Sequence, residues 1–139
     1  MKKKKQKQNE SLDIIPKEED LQDIYQKELI SLPVENQKSL IQTVYESLKQ
    51  NKQVDLSSVE PRGLFHLARL VYMKSTESEP VVAEMFRQAS SMGDDQSALA
   101  LASMIKVGSG IEKDEKKALE IYESLALKGN PIAQVLFLF

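Results

Sequence analysis

The chain has 139 residues, of which 41% are hydrophobic and 29% are charged, as is ordinary for one soluble globular domain. It has no cysteine and a single histidine, His66, which excludes disulfide scaffolds, thiolate sites, cysteine nucleophiles and multi-histidine metal sites. The net charge is −2, and since the lysines at positions 2–5 and 7 contribute +5, residues 9–139 carry −7, which suits nucleic-acid phosphates poorly.

The first predicted element is a Lys-rich tail over residues 1–16, which ends at Pro16. We expect a disordered solubilising arm; a nuclear address or a contact with nucleic acid or an acidic surface, made through Lys2–Lys7, is the alternative. The tail has neither the apolar core of a signal peptide nor the arginines of a transit peptide, so we expect a cytoplasmic protein, with the nucleus as an alternative. No apolar run approaches the ~18 residues of a membrane span, and no membrane insertion is expected.

Apolar residues at helical spacing follow the tail. Leu21, Ile24, Tyr25 and Leu29 fall at i, i+3, i+4 and i+8, and the same spacing recurs along the chain. The predicted helices cover residues 17–31, 34–50, 62–74, 80–92, 95–107, 115–128 and 131–139. No segment alternates apolar and polar residues between turn signals, so the sequence predicts an all-α protein of short antiparallel helices.

The sequence also repeats itself. The segment that starts at Ala83 matches the one that starts at Leu119 with a shift of 36 residues, which sets Phe86 on Tyr122. The helix that contains Leu67 matches the helix 34 residues later. A helical pair of ~35 residues cannot bury its apolar face alone, so this periodicity predicts an α-solenoid of stacked antiparallel helix pairs.

The third repeat resembles the Sel-one-like repeat, a relative of the tetratricopeptide repeat. Its pattern positions are occupied in order by Ser97, Leu101, Ala102, Ile105, Gly108, Gly110, Ile111, Asp114, Ala118, Tyr122, Ala126, Gly129 and Ala133. The second repeat keeps Leu67, Ala68, Phe86 and Gly93, and we expect structural roles for all these positions. The resemblance divides residues 17–139 into a degenerate repeat at 17–52, a repeat at 62–93, the best-matching repeat at 97–129 and a partial repeat at 131–139.

A glycine-rich turn at residues 108–110, followed by Lys113 and a predicted helix, raises the question of a phosphate cradle. Its spacing is not that of a P-loop, and no strand precedes it. Asp114 and Glu115 stand at the start of the following helix, where carboxylates cap the free amides and repel a bound phosphate. We therefore interpret the segment as the turn that joins the two helices of the third repeat.

A stripe on the first helices of the repeats is the candidate partner-binding surface. Its residues lie off the packing positions: Phe65, His66, Arg69 and Tyr72 in the second repeat, with Leu99, Ala100, Ser103 and Lys106 at the equivalent sites. The resemblance implies that first helices line a concave surface on which ligands bind. Aromatic residues beside an arginine are also typical of interface hot spots. The alternative is that some of these side chains pack between repeats.

These observations predict a non-catalytic adaptor or scaffold that holds a peptide or protein partner on the concave face, and they assign no catalytic, cofactor-binding or metal-binding residue. One alternative is a repeat module whose basic tail docks on nucleic acid or an acidic surface; another is a regulatory module of a larger protein. The apolar segment 131–139 predicts a further solenoid repeat, a partner or a second copy packed against that end.

Overall fold

The computed structural model describes residues 13–138, except for the side chain of Thr76. In this range the chain forms seven α-helices and no strand, which confirms the all-α prediction. The helices are α1 (Glu18–Gln26), α2 (Val34–Lys49), α3 (Pro61–Lys74), α4 (Glu79–Ser91), α5 (Asp95–Val107), α6 (Glu115–Leu127) and α7 (Pro131–Leu138), with a short 3-10 turn at Thr76–Ser78. None of these helices has both the length and the apolar character that crossing a membrane requires.

Helix α1 is shorter than the predicted span of 17–31. It ends at Gln26, and the chain then turns through Glu28, whose φ of +58° is incompatible with a continued right-handed helix. The backbone N–H of Leu29 donates to the Ile24 carbonyl at 3.1 Å and closes the helix end. The turn carries Ile30 into the core, where it is fully buried.

The predicted tail also extends too far along the chain. Ile14 and Ile15 are buried in the core, and Pro16 is buried beside them. Burial of a large aliphatic side chain stabilises the fold by about 1.5–3 kcal/mol, which is the physical reason why these residues join the folded body. The body therefore begins before residue 17, and the rest of the predicted tail, residues 1–12, lies outside the described residues.

Three successive helices begin with the same kind of cap. Asp94, Asp114 and Asn130 precede α5, α6 and α7, and each side chain accepts a hydrogen bond from the backbone N–H three residues later, at 2.9, 3.0 and 2.9 Å. Such caps satisfy amides that the first helical turn leaves free. The caps fix where each helix begins. The start of a helix in turn determines which of its side chains face the neighbouring helices.

Each helix from α3 to α6 packs on the next helix in the chain, while α1 contacts α2 and α3, and α2 contacts α4. Alanines at the contacts allow close approach: Ala68, Ala102, Ala118 and Ala133 are essentially fully buried. At Gly63 an added Cβ would lie 2.8 Å from the Cα of Ile30, so that α3 meets the turn after α1 without space for a side chain. The core runs continuously from Ile14 to Tyr122.

A buried glutamine fastens the connection between α2 and α3 onto α4. The side-chain oxygen of Gln88 accepts from the backbone N–H of Leu56 at 2.8 Å, and its amide nitrogen donates to the Val54 carbonyl and to a Glu84 carboxylate oxygen. Leu56 and Val59 of the same connection are buried in the core. Backbone groups that this irregular segment would otherwise leave unpaired are thereby satisfied.

Candidate partner-binding groove

The glycine-rich turn is a structural joint. Gly108 ends α5 with a φ of +78°, and Gly110 has a φ of +71°. The Ser109 hydroxyl donates to a carboxylate oxygen of Glu79, and the Asp114 side chain is occupied by the amide that it caps. Two carboxylates thus face the turn and the helix start, which is unfavourable for phosphate.

A groove of about 660 Å³ lies between α3, α5 and α7. Six of its lining residues belong to the predicted stripe: Phe65, His66, Arg69, Leu99, Ala100 and Ser103. Five others complete it: Arg62, Phe86, Gln96, Ile132 and Leu136. The groove therefore joins side chains from four helices, since Phe86 rises from α4 to form part of its floor.

An aromatic cluster forms the centre of the groove. The Phe65 ring centroid lies 5.7 Å from that of Phe86 in a tilted arrangement and 5.3 Å from the imidazole of His66, edge to face. Phe86 is buried beneath Phe65, which stays partly exposed. The guanidinium carbons of Arg62 and Arg69 lie 5.7 and 5.8 Å from the Phe65 centroid, so the ring is flanked by two cations.

The two arginines differ in what holds them. Arg62 Nη1 donates to the Gln96 side-chain oxygen at 2.7 Å and lies 3.5 Å from an Asp94 oxygen, which ties α3 to the start of α5. Arg69 is exposed, and among residues 13–138 no carboxylate forms an ion pair with it. Arg69 is therefore the groove cation whose guanidinium is open to a ligand.

His66 sits between these cations. Its partial burial, and then the positive charges of Arg62 and Arg69, lower its pKa below the ordinary value of 6.5, while the charge of Asp94 opposes the shift. The imidazole is thus mostly neutral at neutral pH and gains its charge at a lower pH than an unperturbed histidine does.

The α5 wall of the groove is tied to α6. The hydroxyl oxygens of Ser103 and Tyr122 are 3.0 Å apart, and Ser103 also donates to the Leu99 carbonyl at 3.2 Å. Tyr122 is buried, so this pair joins the groove lining to the core. The serine hydroxyl is engaged on both sides and is not held by a base.

Two of the predicted partner-binding residues lie outside the groove. Tyr72 and Lys106 follow Arg69 and Ser103 by three residues, near the C-terminal ends of α3 and α5, and neither lines it. Tyr72 is 49% exposed. Lys106 borders a separate depression of about 220 Å³, to which Leu136 also contributes. The predicted stripe therefore coincides with the groove at its centre and runs past it at its C-terminal end, because one more turn carries each helix beyond the groove.

Four groove residues are not among the predicted site residues: Arg62, Gln96, Ile132 and Leu136. The repeat contains a signal for the first three of them. Arg62 precedes Phe65 and His66 by three and four residues, on the same helix face. The shifts of 34 and 36 residues carry Arg62 to Gln96 and then to Ile132. Phe86 was assigned to the core alone, and it is both core and groove floor.

The outer face of α7 carries exposed apolar side chains. Val135 is 55% and Leu138 80% exposed, and Ile132, at the groove edge, is 58% exposed. Phe139 lies outside the described residues. The expectation that a further repeat, a partner or a second copy covers this end stays a prediction.

Another depression, of about 840 Å³, lies beside α1 and the start of α2. Glutamines, Glu28 and Glu60 line it, and no aromatic cluster or cation converges there among the described residues. Within residues 13–138 no three His, Asp or Glu side chains stand close enough to hold a metal ion. The groove between α3, α5 and α7, by contrast, combines an aromatic cluster with two arginines and has no carboxylate in its lining among the described residues.

No protein-family model, curated protein or solved structure matches this chain.

Proposed function

We propose that the chain is a short Sel-one-like solenoid that acts as a non-catalytic adaptor or scaffold and holds a peptide or protein segment in the groove between α3, α5 and α7. One observation carries the proposal: equivalent positions of three successive repeats, Arg62, Gln96 and Ile132, line the same groove. A stack of repeats is an arrangement that aligns equivalent positions in this way.

Three further features support the solenoid part of the proposal. From α3 onward each helix packs on its neighbour in the chain, as in a repeat array. Ala102, Ala118 and Ala133, which fit the Sel-one-like pattern, are buried at contacts between helices. Gly108 and Asp114, also pattern positions, end one helix and cap the next.

The composition of the groove supports binding and not catalysis. Its titratable side chains are Arg62, Arg69 and His66, and no carboxylate lines it among the described residues. A serine nucleophile needs a base placed against its hydroxyl, whereas the Ser103 hydroxyl bonds to Tyr122 and to a backbone carbonyl. Partly exposed aromatic side chains beside an arginine instead suit an interface anchor.

A selection from a library of random 12-residue peptides displayed on phage tests the proposal. Peptides that bind the full chain are assayed against two variants. Ser103→Trp blocks the groove, and Ser124→Trp places the same side chain at an exposed position on α6 outside it. We expect binding to survive Ser124→Trp and to fail in Ser103→Trp, both measured at a temperature at which each variant is folded. A selection that yields no binder, or binders indifferent to Ser103→Trp, would refute the proposal.

The basic tail is the basis of a second candidate function. Five of the first seven residues are lysines, and a repeat module with such a tail would dock on nucleic acid or another acidic surface. Deletion of residues 1–8 tests it: the steep salt dependence of binding to duplex DNA or heparin should disappear. Unchanged salt dependence in the deletion variant would end this candidate.

A further inference from the structure

We propose that the occupant of the groove is a short acidic segment of another protein, in which carboxylate side chains flank an aromatic or aliphatic residue. This inference rests on the proposed function, because it names the partner class for the same groove.

Charge complementarity is the first argument. Residues 9–139 carry a net charge of −7, yet the groove is lined by two arginines and a histidine, and by no aspartate or glutamate within the described range. The groove is thus a local inversion of sign on an acidic body. Such an inversion guides an acidic segment to the groove and disfavours its binding elsewhere on the surface.

The state of Arg69 is the second argument. Arg62 is held by Gln96 and Asp94, whereas Arg69 has no carboxylate partner among residues 13–138. Seven residues separate the two arginines, or roughly 10 Å along α3. A carboxylate that reaches Arg69 receives charge-assisted hydrogen bonds while the guanidinium remains beside the Phe65 ring.

The apolar floor is the third argument. Phe65, Phe86, Leu99 and Leu136 line the groove between and beyond the cations. An aromatic or aliphatic side chain of the partner would cover this surface and exclude water from the adjoining ion pair. Such shielding makes an interfacial charge pair more effective than an exposed one.

A nucleic acid is the competing anion, and the groove suits it poorly. Polyanion binding gains its affinity from many cations that displace counterions, and this groove offers two permanent cations on an acidic body. A short acidic segment needs one or two ion pairs and an apolar anchor, which is what the lining provides.

Fluorescence anisotropy of labelled peptides with the full chain tests the inference. The probes are EEDFLDEE, KKSFLSKK with the same apolar centre, EEDSSDEE without it, and a 12-nucleotide single-stranded RNA. We expect EEDFLDEE to bind, and the other three probes to bind roughly tenfold more weakly or worse. Equal or tighter binding of the RNA or of KKSFLSKK would overturn the inference.

A charge-reversal pair gives the sharper comparison. Arg69→Glu and Lys74→Glu make the same change in charge on α3, but Lys74 lies outside the groove lining. Arg69→Glu should weaken EEDFLDEE by roughly tenfold or more and strengthen KKSFLSKK, whereas Lys74→Glu should leave their order unchanged. Equal effects of the two variants would show general electrostatics and overturn the inference.

The library selection separates this inference from the proposed function. One outcome is that the selected library peptides fail to bind Ser103→Trp and yet are neutral or basic. That result would overturn the inference of an acidic partner and leave the adaptor function standing. Failure of both the library peptides and EEDFLDEE to bind would overturn both.

Discussion

Gly110 lies directly against the peptide group that joins Glu79 to Pro80: an added Cβ would stand 2.7 Å from the Pro80 nitrogen and closer still to the Glu79 carbonyl. The Ser109 hydroxyl donates to the Glu79 side chain in the same contact. The turn between α5 and α6 is thus fastened onto the start of α4. Glycine at position 110 therefore allows a close backbone contact.

Replacement of this glycine should be costly. Gly110→Ala adds a Cβ that meets backbone atoms, at a φ of +71° that disfavours side chains, and we expect a loss of about 2–4 kcal/mol of unfolding free energy. Gly93→Ala is the control, because Gly93 also has a positive φ, +98°, but nothing lies within 4 Å of its Cβ position. It should cost about 1–2 kcal/mol. Urea unfolding of both variants measures the difference, and equal losses would show that contact with Glu79 is unimportant.

The buried polar side chain of Gln88 should contribute to stability, because it is bonded to the connection between α2 and α3. Gln88→Leu leaves the buried N–H of Leu56 without its acceptor, and we expect a loss of about 1–3 kcal/mol. Exposed Gln134, whose side chain donates to Ala126, is the control, and Gln134→Leu should change stability by less than about 0.5 kcal/mol. Hydrogen exchange should report earlier opening at Leu56 in Gln88→Leu. An unchanged exchange rate there would contradict this account of the connection.

Much of the fold can be predicted from local sequence signals. The features that cannot be predicted in this way also have local causes. Asp94 and Asp114 mark helix starts that are visible in the sequence. The end of α1 is not visible in the sequence, because the positive φ there belongs to Glu28 and not to a glycine or an asparagine. The sequence does not predict the burial of Ile14 and Ile15, because the lysines at positions 2–5 and 7 dominate the composition of the tail.

The groove was only partly predictable for a different reason. Helical spacing finds the residues that share one face of one helix, such as Phe65 and Arg69. It does not tell which other helices meet that face, so the contributions of Phe86 from α4 and Leu136 from α7 required the tertiary packing. The same packing decides where the stripe ends and leaves Tyr72 outside.

His66 should make stability depend on pH. Burial and the charges of Arg62 and Arg69 lower its folded-state pKa below 6.5, with Asp94 opposing. Between the lowered pKa and 6.5 the unfolded chain binds more protons than the folded one, so this contribution destabilises the fold as the pH falls through that window and vanishes above it. His66→Gln should lose less stability than the wild type between about pH 8 and about pH 5. Urea midpoints that fall by the same amount in the wild type and in His66→Gln between these two pH values would contradict the assignment.

Arg69 and Tyr72 should differ in how much they contribute to peptide binding, although the sequence predicts one binding stripe that contains both. Arg69 lines the groove, so Arg69→Ala should weaken a groove-bound peptide roughly tenfold. Tyr72→Ala, outside the lining, should weaken it less than about twofold. Both side chains are exposed, and neither change should lower the melting temperature by more than a few degrees. Anisotropy titrations and thermal melts check this, and equal loss of binding in both variants would mean that the interface extends beyond the groove.

The measurement that tests the adaptor account most directly is an NMR titration of the isotope-labelled full chain with the tightest peptide from the library selection. We expect saturable chemical-shift changes that concentrate on groove-lining residues of three helices, among them Phe65, Leu99 and Leu136. Ser103→Trp should abolish these changes. Shifts that concentrate instead beside α1, around Tyr25 and Glu60, or that never saturate, would contradict it.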